Sequence, residues 1–143
     1  QLGLELHQVQ RVAQHLGFGL ARLVAETARK HLQSFPEAEN YYALAIEAIE
    51  KGGKQDGQLL SRLHNNRGVV LMEMGKYEQA LAEYRSAIRT GDTYAPAYYN
   101  LGKLYTEHLD DVDAAIKAFR DYIAAGGERA FSARQAIKNI QQK

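Results

Sequence analysis

The side chains in this chain best suited to chemistry are histidines, carboxylates, serines and amides, and their spacing decides what chemistry is open to them. Five histidines, His7, His15, His31, His64 and His108, are scattered along the 143 residues. A zinc hydrolase wants two histidines four residues apart on one helix with a carboxylate between them, and no pair here has that spacing. His108 with Asp110, Asp111 and Asp113 comes nearest to a metal cluster. That stretch lacks the glycine and the distant glutamate of a calcium loop, and a helix end followed by an acidic helix start accounts for the same residues. Ser34, Ser61, Ser86 and Ser132 are the only serines, and none sits in a strand-to-helix elbow. Gly17-Phe18-Gly19 lacks the third glycine and the preceding strand of a nucleotide-binding loop. With no cysteine, disulfides and thiolate zinc sites are excluded. No catalytic, metal or cofactor residue is assigned, and the chain is expected not to be an enzyme.

Recognition chemistry remains. Asn66 and Asn100 stand 34 residues apart in matching surroundings, Asn66-Arg67-Gly68 and Asn100-Leu101-Gly102. A primary amide donates to a carbonyl and accepts from an N–H at once, so two of them in register could hold the backbone of an extended peptide. Capping or bridging of helices is the other use for the same amides. The elements that carry them repeat. Tyr77, Ala80, Leu81, Tyr84, Ala87 and Ile88 recur as Val112, Ala115, Ile116, Phe119, Tyr122 and Ile123, each 35 residues on. The added residue is assigned to the turn Leu109-Asp110-Asp111, where an insertion costs little. A fainter copy lies upstream, Ala48-Ile49 against Ala87-Ile88, with Gly52 to Gly57 read as a linker.

Each unit reads as two helices. The apolar spacing predicts helices over 59–74 and 77–89 in the middle unit, then 96–108 and 111–124 in the third. Gly75 stops the first of these, Pro96 suits a first turn, and Asp110, Asp111 and Asp113 suit a helix start. Upstream, helices are expected over 20–34 and 37–51, split by Phe35-Pro36, with a leading helix over 2–16. A final helix over 128–142 ends in polar residues, as the last face of a stack requires. One domain follows: leading helix 1–16, degenerate repeat 21–55, repeats 61–94 and 95–127, capping helix 128–143.

These residues resemble the tetratricopeptide repeat family. The third unit has Tyr98-x2-Leu101-Gly102-x2-Tyr105 and then Ala115-x3-Phe119, and the middle unit has His64-x2-Arg67-Gly68-x2-Leu71 and then Ala80-x3-Tyr84. His64 and Arg67 depart from the pattern, and they bear on how tightly the middle unit packs on the one before it. The resemblance implies an all-α, right-handed superhelical stack of helix-turn-helix repeats with capping helices at both ends. It also implies peptide or protein binding on the concave face. The expected inward residues are Arg62, Asn65, Asn66, Val69 and Glu73 in the middle unit, and Pro96, Tyr99, Asn100, Lys103 and Glu107 in the third. Upstream they are Leu23, Glu26, Thr27 and Lys30. Tyr41, Tyr77, Tyr84, Tyr98, Tyr105 and Tyr122 are expected to pack, and Tyr99 to face the groove as an anchor.

Some family members clamp the acidic tail of cytosolic chaperones with a lysine and an asparagine on the first inner helix, an asparagine on the second, and a lysine and an arginine on the third. This chain has Glu26, Lys30, Asn66, Pro96 and Asn100 at those places, and only Asn66 agrees, so no chaperone-tail carboxylate clamp is expected. The charge balance of 18 basic against 17 acidic residues gives no field for a nucleic-acid backbone. No apolar run reaches the length of a membrane span. The start lacks both methionine and a signal peptide. An excised or processed fragment of a soluble protein is the expectation, with its compartment left open and the cytoplasm favoured; a place in a larger enzyme or self-association are the alternatives to an interaction scaffold.

Overall fold

The computed structural model describes residues 34–52, 56–91 and 94–143. The expected helices over 2–16 and 20–34, and the inward residues Leu23, Glu26, Thr27 and Lys30, lie outside them. Among the described residues the chain forms six α-helices and no strand. These are α1 (Phe35–Lys51), α2 (Gly57–Glu73), α3 (Tyr77–Thr90), α4 (Ala95–Leu104), α5 (Val112–Ala124) and α6 (Ala130–Gln141).

Local chemistry explains the helix ends. Pro36 lies within the first turn of α1, which starts at Phe35 rather than at the expected 37, because a helix start has N–H groups to spare. Gly57, read as linker, is the first residue of α2. Asp56 accepts from the Leu59 N–H at 3.1 Å and Asp111 accepts from the Ala114 N–H at 3.0 Å, so α2 and α5 begin on side-chain caps. The helices α4 and α6 begin without one.

The extra residue of the third unit sits inside a helix, not in the turn. The turn after α2 uses Gly75 at φ 74°, and the matching turn uses Asp110 at φ 52°. These left-handed residues are themselves 35 apart, so the insertion precedes the turn. It is absorbed as a π-turn, Tyr105–Leu109, continuing from α4. A wider turn takes in one residue without rotating the helix on either side, which is the usual origin of a π-bulge. His108, in that turn, stacks on Tyr77 at the start of α3 with ring centroids 4.1 Å apart.

The apolar stripes stack in layers. Ala38, Tyr42, Ala45 and Ile49 of α1 meet Leu60, Leu63 and Val70 of α2. Leu71, Ala80 and Tyr84 meet Leu101, Leu104 and Ala118 in the next layer, and Phe119, Tyr122 and Ala133 form the last. Within each pair, helix contact depends on a glycine. A Cβ on Gly68 would lie 2.6 Å from the Tyr84 ring, and one on Gly102 would lie 2.6 Å from the Phe119 ring. Ring against bare backbone is the repeated joint of this stack, and burial of each ring contributes roughly 2 kcal/mol.

Candidate functional site

The helices α2 and α4 touch each other directly, whereas α3 and α5 scarcely meet. That places α2 and α4 side by side along one face. Of the residues expected there, Arg62, Glu73, Pro96 and Glu107 are exposed. Asn66, Val69, Tyr99, Asn100 and Lys103 are half-buried. Val69 leans into the second core layer.

Asn65 departs from its expected role as a contact residue. It is only 5% exposed, and its Oδ1 accepts a hydrogen bond from Asn100 Nδ2 at 2.9 Å. A turn of 100° per residue separates Asn65 from Asn66 on α2, and the approach of α4 brings Asn100 to the first of them. Asn100 is thereby fixed across two repeats, while Asn66 has no such partner among the described residues. The two amides that match in sequence therefore differ in situation.

Behind this face lies a polar network that stands where the third unit has apolar side chains. Arg67 donates from Nε at 2.8 Å and from Nη2 at 2.6 Å to Glu39 Oε1 on α1, and from Nη1 at 3.1 Å to Glu83 Oε1 on α3. The other oxygen of Glu83 meets His64 Nδ1 at 2.8 Å. All four side chains are largely buried, and charge-assisted bonds of this length offset desolvation only because each partner is present. The departures at His64 and Arg67 thus join α1, α2 and α3. Next to this network Tyr84 is fully buried, and its hydroxyl has no hydrogen-bond partner among the described residues. Burial, and then the charge of Glu73, push its phenol well above the usual tyrosine value.

Between α4 and the start of α6 a trough of about 570 Å³ opens. Tyr99 and Asn100 form its α4 side with Tyr94 and Pro96 above them, and Gly127, Glu128 and Arg129 close it from the α6 side. The Tyr99 ring is braced by Phe119, edge-on at 5.6 Å, and by Tyr122 at 5.0 Å. The Arg129 guanidinium stands 5.9 Å from the Tyr99 centroid. Its backbone N–H donates to the Tyr122 hydroxyl at 2.8 Å. Of the lining residues, Tyr99, Pro96 and Asn100 are among those expected on the inner face and Tyr122 among those expected to pack, whereas Tyr94 and Arg129, the residues just before α4 and α6, carry no expectation. The crowding of Tyr94, Tyr98 and Tyr99 around one helix start was the available signal. Among the described residues no cluster of histidines and carboxylates suits a metal ion, and no helix is long and apolar enough to cross a membrane.

Comparison with known proteins bears on the fold. The TPR repeat model matches residues 68–108, and the Tetratricopeptide repeat model matches residues 95–125. The human protein DnaJ homolog subfamily C member 7 is 27% identical over 107 residues, which cover 75% of this chain and 20% of that protein. A probable UDP-N-acetylglucosamine–peptide N-acetylglucosaminyltransferase, SPINDLY of Hordeum vulgare, is 29% identical over 98 residues, 64% of this chain and 10% of that enzyme. The chain therefore spans a fifth or less of these relatives. Among solved structures, BtubC of P. vanneervenii superposes with a TM-score of 0.77 at 20% identity, over 96% of this chain and 63% of its own. The TPR2B domain of yeast Sti1 in its pHsp70 complex gives 0.68 at 18% identity, over 84% and 98%. The second TPR domain of human RPAP3, bound to the HSP70 peptide SGPTIEEVD, gives 0.57 at 24% identity, over 86% and 99%.

These last two structures correct one expectation. The exclusion of a chaperone-tail clamp is overturned, since two domains of this same fold are in complex with pHsp70 and with an HSP70 peptide. The exclusion rested on five side chains. Two of them, Glu26 and Lys30, lie outside the described residues, and a third, Asn100, is turned to Asn65. A set of five positions is too narrow a criterion for a groove whose length is set by the stack of helices.

Proposed function

Because this chain belongs to the tetratricopeptide repeat family, we propose that it is a protein-interaction scaffold that binds an extended peptide along α2 and α4 and into the trough beside α6. The carrying observation is the trough itself, which opens on Tyr99 and Asn100, two residues expected from their spacing to face inward. Arg62, Asn66, Val69, Glu73, Lys103 and Glu107 continue the same face and supply mixed charge with one amide, Asn66, that has no partner among the described residues. Asn65 serves the site by holding Asn100. The Hsp70 complexes of the Sti1 and RPAP3 domains make an Hsp70 tail peptide the first ligand to try.

Fluorescence anisotropy with labelled SGPTIEEVD tests the reading. A dissociation constant in the micromolar range, roughly −8 kcal/mol, is expected. Asn66→Ala should weaken it about threefold through the loss of a single hydrogen bond and leave the melting temperature unchanged. No saturable binding up to millimolar peptide would end the proposal for this ligand.

A second reading draws on the likeness to the SPINDLY transferase. Here the repeats present a protein substrate to a catalytic region elsewhere in a longer polypeptide. Sequencing the complete transcript decides between them, since this reading requires a transferase domain in the same open reading frame.

A further inference from the structure

We propose that the trough between α4 and α6 is the specificity subsite of the groove and takes one apolar side chain of the bound peptide together with an adjacent carboxylate. The apolar group rests on Tyr99, Tyr94 and Pro96, and the carboxylate meets Arg129. This inference rests on the peptide-binding reading above and adds to it a ligand class and a selecting residue.

Shape supplies the first argument. A volume of about 570 Å³ falls among the pockets of roughly 300–1,000 Å³ that take small ligands. It holds a large side chain and part of its backbone. Rigidity supplies the second. Tyr99 is braced from two sides, by Phe119 and Tyr122, so little side-chain freedom is lost when a ligand covers it. Charge supplies the third. Arg129 is exposed and forms no ion pair among the described residues. Its backbone N–H is tied to the Tyr122 hydroxyl, which ties the chain beside the trough where the guanidinium departs. Glu128 also lines the trough. One cation beside one anion suits a single carboxylate next to Arg129 and opposes a second acidic group packed against Glu128. The peptide SGPTIEEVD offers such apolar–acidic neighbours in its Ile-Glu and Val-Asp steps.

The test compares two probes, SGPTIEEVD and its neutral counterpart SGPTIQQVN with an amidated C-terminus, by anisotropy at low salt. The wild-type chain should prefer the acidic probe by about fivefold, the upper end for a solvent-exposed charge pair. Arg129→Gln should abolish most of that preference, and Arg129→Lys, which keeps the charge, should restore part of it. Tyr99→Leu should weaken both probes alike. Arg134→Gln is the control, because Arg134 is exposed on α6 but does not line the trough, and it should leave the preference intact. If Arg129→Gln keeps the preference, or Arg134→Gln reduces it equally, the subsite is overturned while peptide binding stands. If the wild-type chain binds neither probe, the Hsp70-tail reading falls and takes the subsite with it.

Discussion

The middle and third repeats are built to one plan and filled in two ways. Both rest an aromatic ring on a glycine, Tyr84 on Gly68 and Phe119 on Gly102, with the same clearance. At two other positions on the first helix of each pair they part, and one of these, Arg67 or Leu101, reaches the preceding unit. The third repeat places Tyr98 and Leu101 there, with Leu101 in the core. The middle repeat places His64 and Arg67 there, bonded to Glu83 and Glu39. The joint within a pair tolerates no other chemistry because it is a matter of backbone distance. The joint between units accepts either oil or charge, provided every charge has a partner.

Breaking the shared joint should have the largest effect. Gly68→Leu and Gly102→Leu should each cost about 3 kcal/mol or more in urea unfolding, because a bulky group would meet an aromatic ring that has nowhere to go. A clearly smaller loss at either site would show that the two joints are not equivalent. Next comes the joint that differs. Arg67→Leu should cost about 2–3 kcal/mol by stranding Glu39 and leaving Glu83 with His64 alone. Adding Glu39→Met and Glu83→Met, with His64→Tyr so that no buried imidazole loses its partner, should recover most of that loss, making the middle repeat resemble the third. Failure to recover would mean that the network also sets the position of α1.

The inner face carries a smaller contrast. Asn100→Ala should lower stability by about 1 kcal/mol, since it leaves the buried carbonyl of Asn65 unpaired, whereas Asn66→Ala should alter binding alone. The smallest effect concerns the two rings. Tyr84→Phe, which makes the middle ring identical to Phe119, should stabilise by about 0.5–1 kcal/mol because its hydroxyl has no partner. Burial raises the Tyr84 phenol above its ordinary value of 10.0. The folded chain keeps a proton that the unfolded chain releases, so stability falls as pH rises past that value. Tyr84→Phe should remove part of the fall, read from melting temperatures across alkaline pH.

Much of the fold was legible because it is local or periodic. Glycine and aromatic pairs recur at a fixed interval, Gly75 marks a turn, and the stripes on 77–90 and 112–124 follow the helical period. Even so, the added residue of the third repeat was misplaced by a few positions. A turn and a π-bulge accommodate the same length of chain, and only the left-handed Asp110 shows which was used. Half of the candidate site was legible as well. Tyr99, Asn100 and Asn66 follow from register, but Arg129 enters the trough through a loop that matches nothing in the repeat.

By itself, the amino-acid sequence determined that this protein is a stack of helix pairs, since an apolar stripe at helical spacing must be buried against a neighbour and a repeated stripe must be buried repeatedly. Only the tertiary structure decided which polar side chains are used within the stack and which are left at its surface. Arg67 reaches partners 28 and 16 residues away, and Asn100 reaches one 35 residues away. Such choices depend on how helices cross and how far each is rotated, and spacing along one chain does not carry that information.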